Sequence, residues 1–184
     1  MKKFLKWFLI VVGALLLIAV VGFQIMKWNT KQHSPQDSVS VNIDDVKIEV
    51  VYSRPFKKDR IIFGELVPYN EVWRTGANEA TTFSTSADLL IKDQELPAGT
   101  YTLWTIPGPK NWNVIFNEGE YGWGVNWEAV ASRDPKLDVV NVVVDRQTSV
   151  KVMEQFTIDF MEDPMVMRLG WDVTRVDVPI EKAE

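Results

Sequence analysis

The strongest constraint on the fold is an apolar run close to the N-terminus. Residues 7–23 contain no polar side chain, and with their apolar neighbours they approach the roughly 20 residues that cross a bilayer. Three lysines precede the run, at positions 2, 3 and 6, and two follow it, Lys27 and Lys31. Because lysines concentrate on the cytoplasmic side of membrane segments, the larger cluster predicts a cytoplasmic N-terminus and an extracytoplasmic body.

A cleaved signal peptide has a similar length and charge pattern. Residues 22–28 are bulky, however, and contain no small-x-small cleavage pattern. We therefore predict an uncleaved single-pass anchor over residues 1–28, with the lipid bilayer as its partner and with Trp7 and Trp28 near the two membrane interfaces.

The pattern changes twice after the anchor. Residues 29–40 are polar with one proline, which predicts a linker. From Val41 onwards, short segments alternate apolar and polar residues, as in residues 46–50, and turn residues separate them. About nine or ten such strands and no long amphipathic helix predict that residues 41–184 form an all-β domain, a β-sandwich of the jelly-roll or Ig-like type, that folds by itself.

Two absences restrict the chemistry. The chain contains no cysteine, and its one histidine, His33, lies in the predicted linker. Disulfides, thiol nucleophiles, Ser-His-Asp triads and multi-histidine metal sites are therefore excluded from the folded body. The acids between residues 118 and 138 lack the dense spacing of a calcium loop, so we predict a solvated acidic surface there, with no cofactor and no metal site.

The charge distribution argues against nucleic acid as a partner. Five of the 20 basic residues lie in residues 1–31, which contain no acid, so the rest of the chain has 15 basic residues against all 25 acids. A net charge of about −10 on the body opposes the phosphate backbone.

One segment, YNEVWRTGANEAT at residues 69–81, has neither the strand nor the helix period. Its mixture of aromatic, cationic, acidic and amide side chains predicts a structured loop, with a positive φ or a close backbone approach at Gly76. The candidate ligand-binding residues in and around this loop are Arg54, Trp73, Arg74, Thr75, Asn78, Glu79 and Trp104.

Two interpretations of the loop stay open. In the first, Arg74 and Glu79 bind a ligand; in the second, they pair to satisfy the loop while Trp73 fills the core. Both predict a connected cluster of Arg74, Asn78 and Glu79 with Arg54 nearby, since each polar group buried without a partner costs about 1–3 kcal/mol.

Four phrases of the sequence carry a family resemblance. YSRP (52–55), IFGELVPY (62–69), VWRTGANEAT (72–81) and LPAGTY (96–101) resemble the bacterial domain-of-unknown-function family 2911, and the likeness extends over about residues 46–180. The resemblance implies a β-rich extracytoplasmic domain, which is periplasmic in a bacterium with two membranes, and implies no activity. Members of the family usually begin with a secretion signal, so an uncleaved anchor in this chain would depart from the usual N-terminal segment of the family.

Three functions are compatible with these features. The first is a membrane-anchored domain that binds a glycan or a peptide. The second is a hydrolase that uses the carboxylates of Glu71 and Glu79 with an arginine to stabilise charge. The third is a structural protein of the cell envelope. A pocket with two carboxylates about 5–10 Å apart favours the enzyme, and an open aromatic platform favours the binding protein.

Overall fold

The computed structural model describes residues 2–43 and 45–183. The chain divides between His33 and Ser34 into two compact units, a helix and a β-rich body.

Helix α1 extends over Lys2–His33. Its most apolar 18-residue window has a mean hydropathy of 2.8, and the helix is long and apolar enough to cross a membrane, a property that signal sequences share. The helix continues five residues beyond the predicted end of the anchor at residue 28, because residues 29–33 contain neither glycine nor proline. It ends just before Ser34, whose helical conformation is disfavoured by Pro35.

The body contains nine strands and one short 3-10 helix. The strands are β1 (Gln36–Ile43), β2 (Val46–Ser53), β3 (Thr82–Thr85), β4 (Leu89–Ile91), β5 (Gln94–Leu96), β6 (Gly99–Pro107), β7 (Asn111–Asn117), β8 (Asp138–Glu162) and β9 (Met165–Lys182), and the 3-10 helix is Pro135–Leu137. They form one antiparallel sheet in the order β1-β2-β3-β6-β7-β8-β9-β4-β5. The all-β class and the strand number are confirmed, and the arrangement is consistent with a sandwich-like domain.

Strand β8 changes partner along its length. Its first part pairs with β7, and its second part pairs with β9. The hydroxyl of Tyr52, in β2, accepts a hydrogen bond from the Ile158 N–H (2.9 Å) and donates one to the Ile158 carbonyl (3.2 Å), so the second part of β8 lies against β2. Between them is a core of aliphatic and aromatic side chains, in which Phe83 and Phe116 meet edge to face at 4.9 Å.

The first strand begins earlier than the sequence pattern indicates. Residues 29–40, assigned to a linker, are helical up to His33 and pair with β2 from Gln36 onwards. Strand β1 lies at the edge of the sheet, where Val39 is half-buried and Val41 is buried. An edge strand needs few apolar residues, so its polar sequence resembles a linker.

Residues 54–81 connect β2 to β3 through turns and isolated bridges. The bridges join Phe63 to Val67 within the connection, Phe56 to Gln155 in β8, and Trp73 to Thr105 in β6. The predicted structured loop at residues 69–81 is thereby confirmed, and the bridge at Trp73 holds it against the sheet.

Candidate functional site

Gly76 fixes the shape of the loop. Its φ is 154°, and a Cβ at this position would lie 2.9 Å from the Ser53 carbonyl oxygen and 3.1 Å from Oγ1 of Thr81. The neighbours Thr75 and Asn78 also have positive φ, at 53° and 58°. The loop therefore turns tightly against the end of β2, and only glycine allows this backbone approach.

Trp73 packs in the core and also holds the loop together. Its N–H donates to the Thr105 carbonyl at 2.7 Å, and the Thr105 N–H returns a bond of 2.9 Å. The indole N–H donates to the Gly76 carbonyl at 3.0 Å, while the ring stacks on Trp171 at 6.1 Å and meets the edge of Phe156 at 5.0 Å. Trp73 therefore fills the core, as expected if the loop has a structural role.

Thr75 ties the loop to β6 from inside. It is fully buried, and its hydroxyl donates to the Thr105 hydroxyl at 3.2 Å. Its carbonyl accepts a bond of 2.7 Å from the Thr81 hydroxyl. The side chain of Thr75 thus faces the protein interior.

Arg74 joins the loop to residues 118–134. Its Nη1 donates to the Trp123 carbonyl at 2.9 Å, and its Cβ and Cδ lie 3.2 Å from the place of a Cβ on Gly124. Burial lowers the pKa of Arg74 below its ordinary value, and the negative charge of Glu79 acts in the opposite direction. The two charges of the proposed pair therefore lie close enough to interact.

Asn78 and Arg54 hold the first residues of the body. The buried Asn78 side chain donates to the Ser34 carbonyl at 3.0 Å. The backbone N–H of Arg54 donates to the Pro35 carbonyl at 2.9 Å, and its Nη1 forms an ion pair with Asp37 at 2.9 Å. Both candidate residues thus fix the entry of the chain into β1.

The other nitrogens of Arg54 bond to β8. Nε donates to the Phe156 carbonyl at 3.1 Å, and Nη2 donates to the Thr157 hydroxyl at 2.9 Å. All three guanidinium nitrogens therefore have partners on β1 or β8, and Arg54 clamps β1 and the end of β2 to β8.

Trp104 lies under the loops, where it is fully buried. Its indole N–H donates to the Thr102 hydroxyl at 2.9 Å, and its ring meets Tyr121 edge to face at 5.4 Å. Ala80 and Ile115 complete this second apolar cluster. A ligand on the surface is separated from the indole by this packing.

Glu79 lines a cavity of about 140 Å³. The cavity is bounded by Gln36, Val51, Tyr52, Ser53, Glu79, Ala80 and Thr82. Glu79 alone among the candidate residues belongs to this lining. Tyr52 and Ser53 occur in the family phrase YSRP, which implies no role for them, and Gln36 lies in a segment whose polar sequence resembles a linker.

The polar groups around this cavity differ in chemistry. Burial raises the pKa of Tyr52 above its ordinary value, so the phenol stays protonated at neutral pH and keeps both bonds to Ile158. Glu79 brings a carboxylate, and Gln36 brings an amide with both donor and acceptor atoms. The cavity therefore suits a group that donates hydrogen bonds.

A second hollow, of about 240 Å³, lies elsewhere between β8, β9 and the turn before β5. Two of its charged lining residues have protein partners: Lys92 donates to the Val143 carbonyl at 2.8 Å, and Asp177 binds Arg168 at 2.8 Å. None of the candidate site residues lines it. Within residues 2–43 and 45–183, no group of three or more His, Asp or Glu side chains is placed to hold a metal ion.

The fold and the site define a class of protein with an N-terminal apolar helix and an all-β body, in which a cavity lies beside a loop that turns at a glycine. The profile of a family described as a protein of unknown function (DUF2911) matches residues 34–180, and the chain belongs to this family. The match confirms the resemblance and begins at Ser34, directly after α1. Comparisons with curated proteins and with solved structures gave no match.

Proposed function

We propose that the protein is a single-pass membrane protein with a cytoplasmic N-terminus, whose extracytoplasmic body binds a glycan or a peptide through the cavity beside Glu79. The observation that carries this proposal is the lining of the cavity, to which Glu79 brings a carboxylate and Gln36 an amide. The lysines before α1 support the orientation.

The size of the cavity restricts what enters it. At about 30 Å³ for each water molecule, 140 Å³ corresponds to roughly four or five waters. One small group fits this space, such as a hydroxymethyl, an amide or an amine, and the rest of the ligand lies outside over the loops.

The charges around the cavity favour hydrogen-bond donors. Since Arg74 interacts with the charge of Glu79, a neutral hydroxyl or amide N–H suits the site as well as a cation. Sugars and peptides both present such groups, so both ligand classes suit the cavity.

The experiment is a ligand screen with the intact chain in detergent. Glycan fragments and short peptides are tested by saturation-transfer NMR, and binders are titrated by calorimetry against wild type, Glu79→Gln and Glu71→Gln. Glu71 is the matched control, because it belongs to the same loop but is exposed and outside the cavity lining.

We expect Glu79→Gln to weaken binding at least about tenfold, which is about 1.4 kcal/mol, and Glu71→Gln to leave it unchanged. Equal effects of the two variants, or no binder from either ligand class, would contradict the proposal.

The hydrolase receives less support from the same cavity. It requires the carboxylates of Glu71 and Glu79 on either side of one ligand, at about 5–10 Å. Of these two residues, only Glu79 lines the cavity, and Glu71 is exposed. Under the hydrolase hypothesis, both glutamine variants abolish turnover, so the same pair of variants separates the two functions.

The structural role is favoured by Arg54, whose guanidinium nitrogens all bond to β1 or β8. In that case the polar groups of the loop serve the fold alone. Melting temperatures of loop variants separate this role from binding.

A further inference from the structure

The strand register places the walls of the proposed binding cavity on one face of the sheet. In β2 the side chain of Tyr52 enters the core, so its neighbours Val51 and Ser53 lie on the outer face. Gln36 lies directly opposite Ser53, and Thr82 lies directly opposite Val51. Because opposite residues of an antiparallel pair share a face, these four side chains all belong to the outer face of β1, β2 and β3.

Ser53 brings a buried hydroxyl to the cavity. The residue is 2% exposed, and the loop turns against it at Gly76, where a Cβ would lie 2.9 Å from the Ser53 carbonyl oxygen. Ser53 lines the cavity, and none of the residues that the structure describes forms a hydrogen bond with its hydroxyl. Burying a hydroxyl without a partner is unfavourable, so the group that occupies the cavity is the one that satisfies it.

The walls of the cavity suit a small group that is apolar on one side and polar on the other. The side chain of Val51 and the methyl group of Thr82 lie next to each other on the outer face and can contact a methylene. The Glu79 carboxylate accepts hydrogen bonds, whereas the Ser53 hydroxyl both donates and accepts them. A hydroxymethyl group fits this combination, because its O–H can donate to the carboxylate while its oxygen accepts from the serine. An ammonium group has no lone pair for the serine O–H.

The outer face continues beside the cavity as a surface of short hydroxyl side chains. We call Ser38, Ser40, Ser84 and Thr100 the hydroxyl face; Ser40 and Thr100 end one row that crosses four strands. The hydroxyls of Ser84 and Thr100 lie 3.1 Å apart in a hydrogen bond, and Ser38 and Ser40 are exposed. This row lies two residues along β2 and β3 from the cavity wall, which is about 7 Å.

The strands that carry the cavity offer little to a peptide backbone. Strand β2 pairs with β1 and β3, and β3 pairs with β2 and β6, so both are internal to the sheet. A peptide that adds as a strand needs an open edge, and its side chains need separate pockets. The groups available at the hydroxyl face are instead hydroxyls that donate and accept, as the hydroxyls of a sugar do.

We propose that the ligand of the cavity is a glycan, whose hydroxymethyl group binds between the Ser53 hydroxyl and the Glu79 carboxylate. This inference rests on the proposed function and narrows it to one of the two ligand classes. It also makes Ser53 a second ligand-binding residue, on a different element from Glu79.

The experiment measures the binding of simple sugars to the intact chain. Methyl glycosides of glucose, galactose, mannose and N-acetylglucosamine are titrated by NMR, in a detergent without a sugar headgroup. Each is compared with its 6-deoxy counterpart, which lacks the hydroxymethyl oxygen, and trialanine is the peptide probe. The proteins are wild type, Ser53→Ala and the control Ser132→Ala, since Ser132 is exposed and outside the cavity lining.

We expect at least one methyl glycoside to bind wild type at least about tenfold more tightly than its 6-deoxy counterpart. Ser53→Ala should weaken binding of that glycoside at least about fivefold and leave the 6-deoxy sugar unaffected, because both changes remove the same hydrogen bond. Ser132→Ala should change neither affinity. A thermal melt verifies that Ser53→Ala is folded, and the comparison of the two sugars in wild type needs no variant.

Equal binding of the two sugars of every pair, or no effect of Ser53→Ala, would overturn the inference. If trialanine alone binds and Glu79→Gln weakens its binding, the inference is wrong while the proposed function stands. Binding of neither sugars nor trialanine would contradict both.

Discussion

Arg168 and Asp177 are nine residues apart in the same strand, β9, and yet form a two-pronged ion pair with distances of 2.8 and 3.0 Å. A straight strand would separate them by about 30 Å. β9 therefore folds back between them, at a bend where Asp172 has a φ of 55° and a Cβ on Gly170 would lie 3.9 Å from the Thr174 carbonyl oxygen. This bend lets one continuous sheet surround a core.

Asp159 faces this ion pair across the strands and gives a pH-dependent prediction. Asp159 is exposed at the surface, but partial desolvation by the neighbouring strands raises its pKa above the ordinary value; Arg168 and Arg175 lower the pKa, and Asp177 raises it. The folded protein therefore holds a proton on Asp159 at pH values where the unfolded chain has released it. The sign follows: the free energy of unfolding decreases as pH rises from about 4, the ordinary aspartate value, through the raised pKa, and the loss is complete above it.

Asp159→Asn should thus melt at a higher temperature than wild type at pH 7 and at the same temperature at pH 3, measured by circular dichroism. Because the difference between two proteins is measured at each pH, the titration of the other carboxyls cancels. A variant that is less stable than wild type at pH 7 would show that Asp159 stabilises the bend as an anion.

Gly76 gives a prediction about the loop backbone. Gly76→Ala should lower the free energy of unfolding by about 1–3 kcal/mol, because φ is positive and the new Cβ meets the Ser53 carbonyl oxygen at 2.9 Å. Gly122→Ala is the matched control, since its Cβ would have no neighbour within 4 Å. Urea unfolding measures both variants, and equal stabilities would contradict the tight turn.

The start of the body gives a prediction about domain boundaries. A chain that begins at Ser34 should fold and melt cooperatively, because it retains all of β1 with the Arg54–Asp37 ion pair and the Asn78–Ser34 bond. A chain that begins at Val41 loses these contacts and the first five residues of the β1–β2 ladder. We expect it to melt at least several degrees lower; an equal melting temperature would return residues 34–40 to the role of a linker.

Some features of the fold follow from sequence patterns, and others do not. The strands with buried alternating residues, such as β2, are predictable because each places one side chain in two into the core. Strand β1 is not predictable from its sequence, because an edge strand is held by backbone pairing with β2 and needs few buried apolar side chains. In the same way, the composition of residues 69–81 predicts a structured loop. It does not predict the cavity, because Gln36, Tyr52 and Glu79 come together only when β1 pairs with β2.

The membrane topology gives a separate prediction. Alkaline phosphatase fused after His33 should be active and green fluorescent protein fused there should be dark in bacterial cells, because the three N-terminal lysines favour the cytoplasm. The fusion protein should keep its full length on a denaturing gel, as an uncleaved anchor requires. A fluorescent fusion would reverse the orientation, and a shortened product would identify α1 as a cleaved signal.

The most direct test of the central claim is the rise in melting temperature that a ligand from the screen produces, compared between wild type, Glu79→Ala and Arg74→Ala. If the cavity beside Glu79 is a binding site, Glu79→Ala should melt within about 2 °C of wild type and show no ligand-induced rise, because a ligand stabilises only the state that it binds. Arg74→Ala should be folded and should respond weakly, since Arg74 interacts with the charge of Glu79. Unfolding of both variants, or an undiminished ligand-induced rise in Glu79→Ala, would contradict the account.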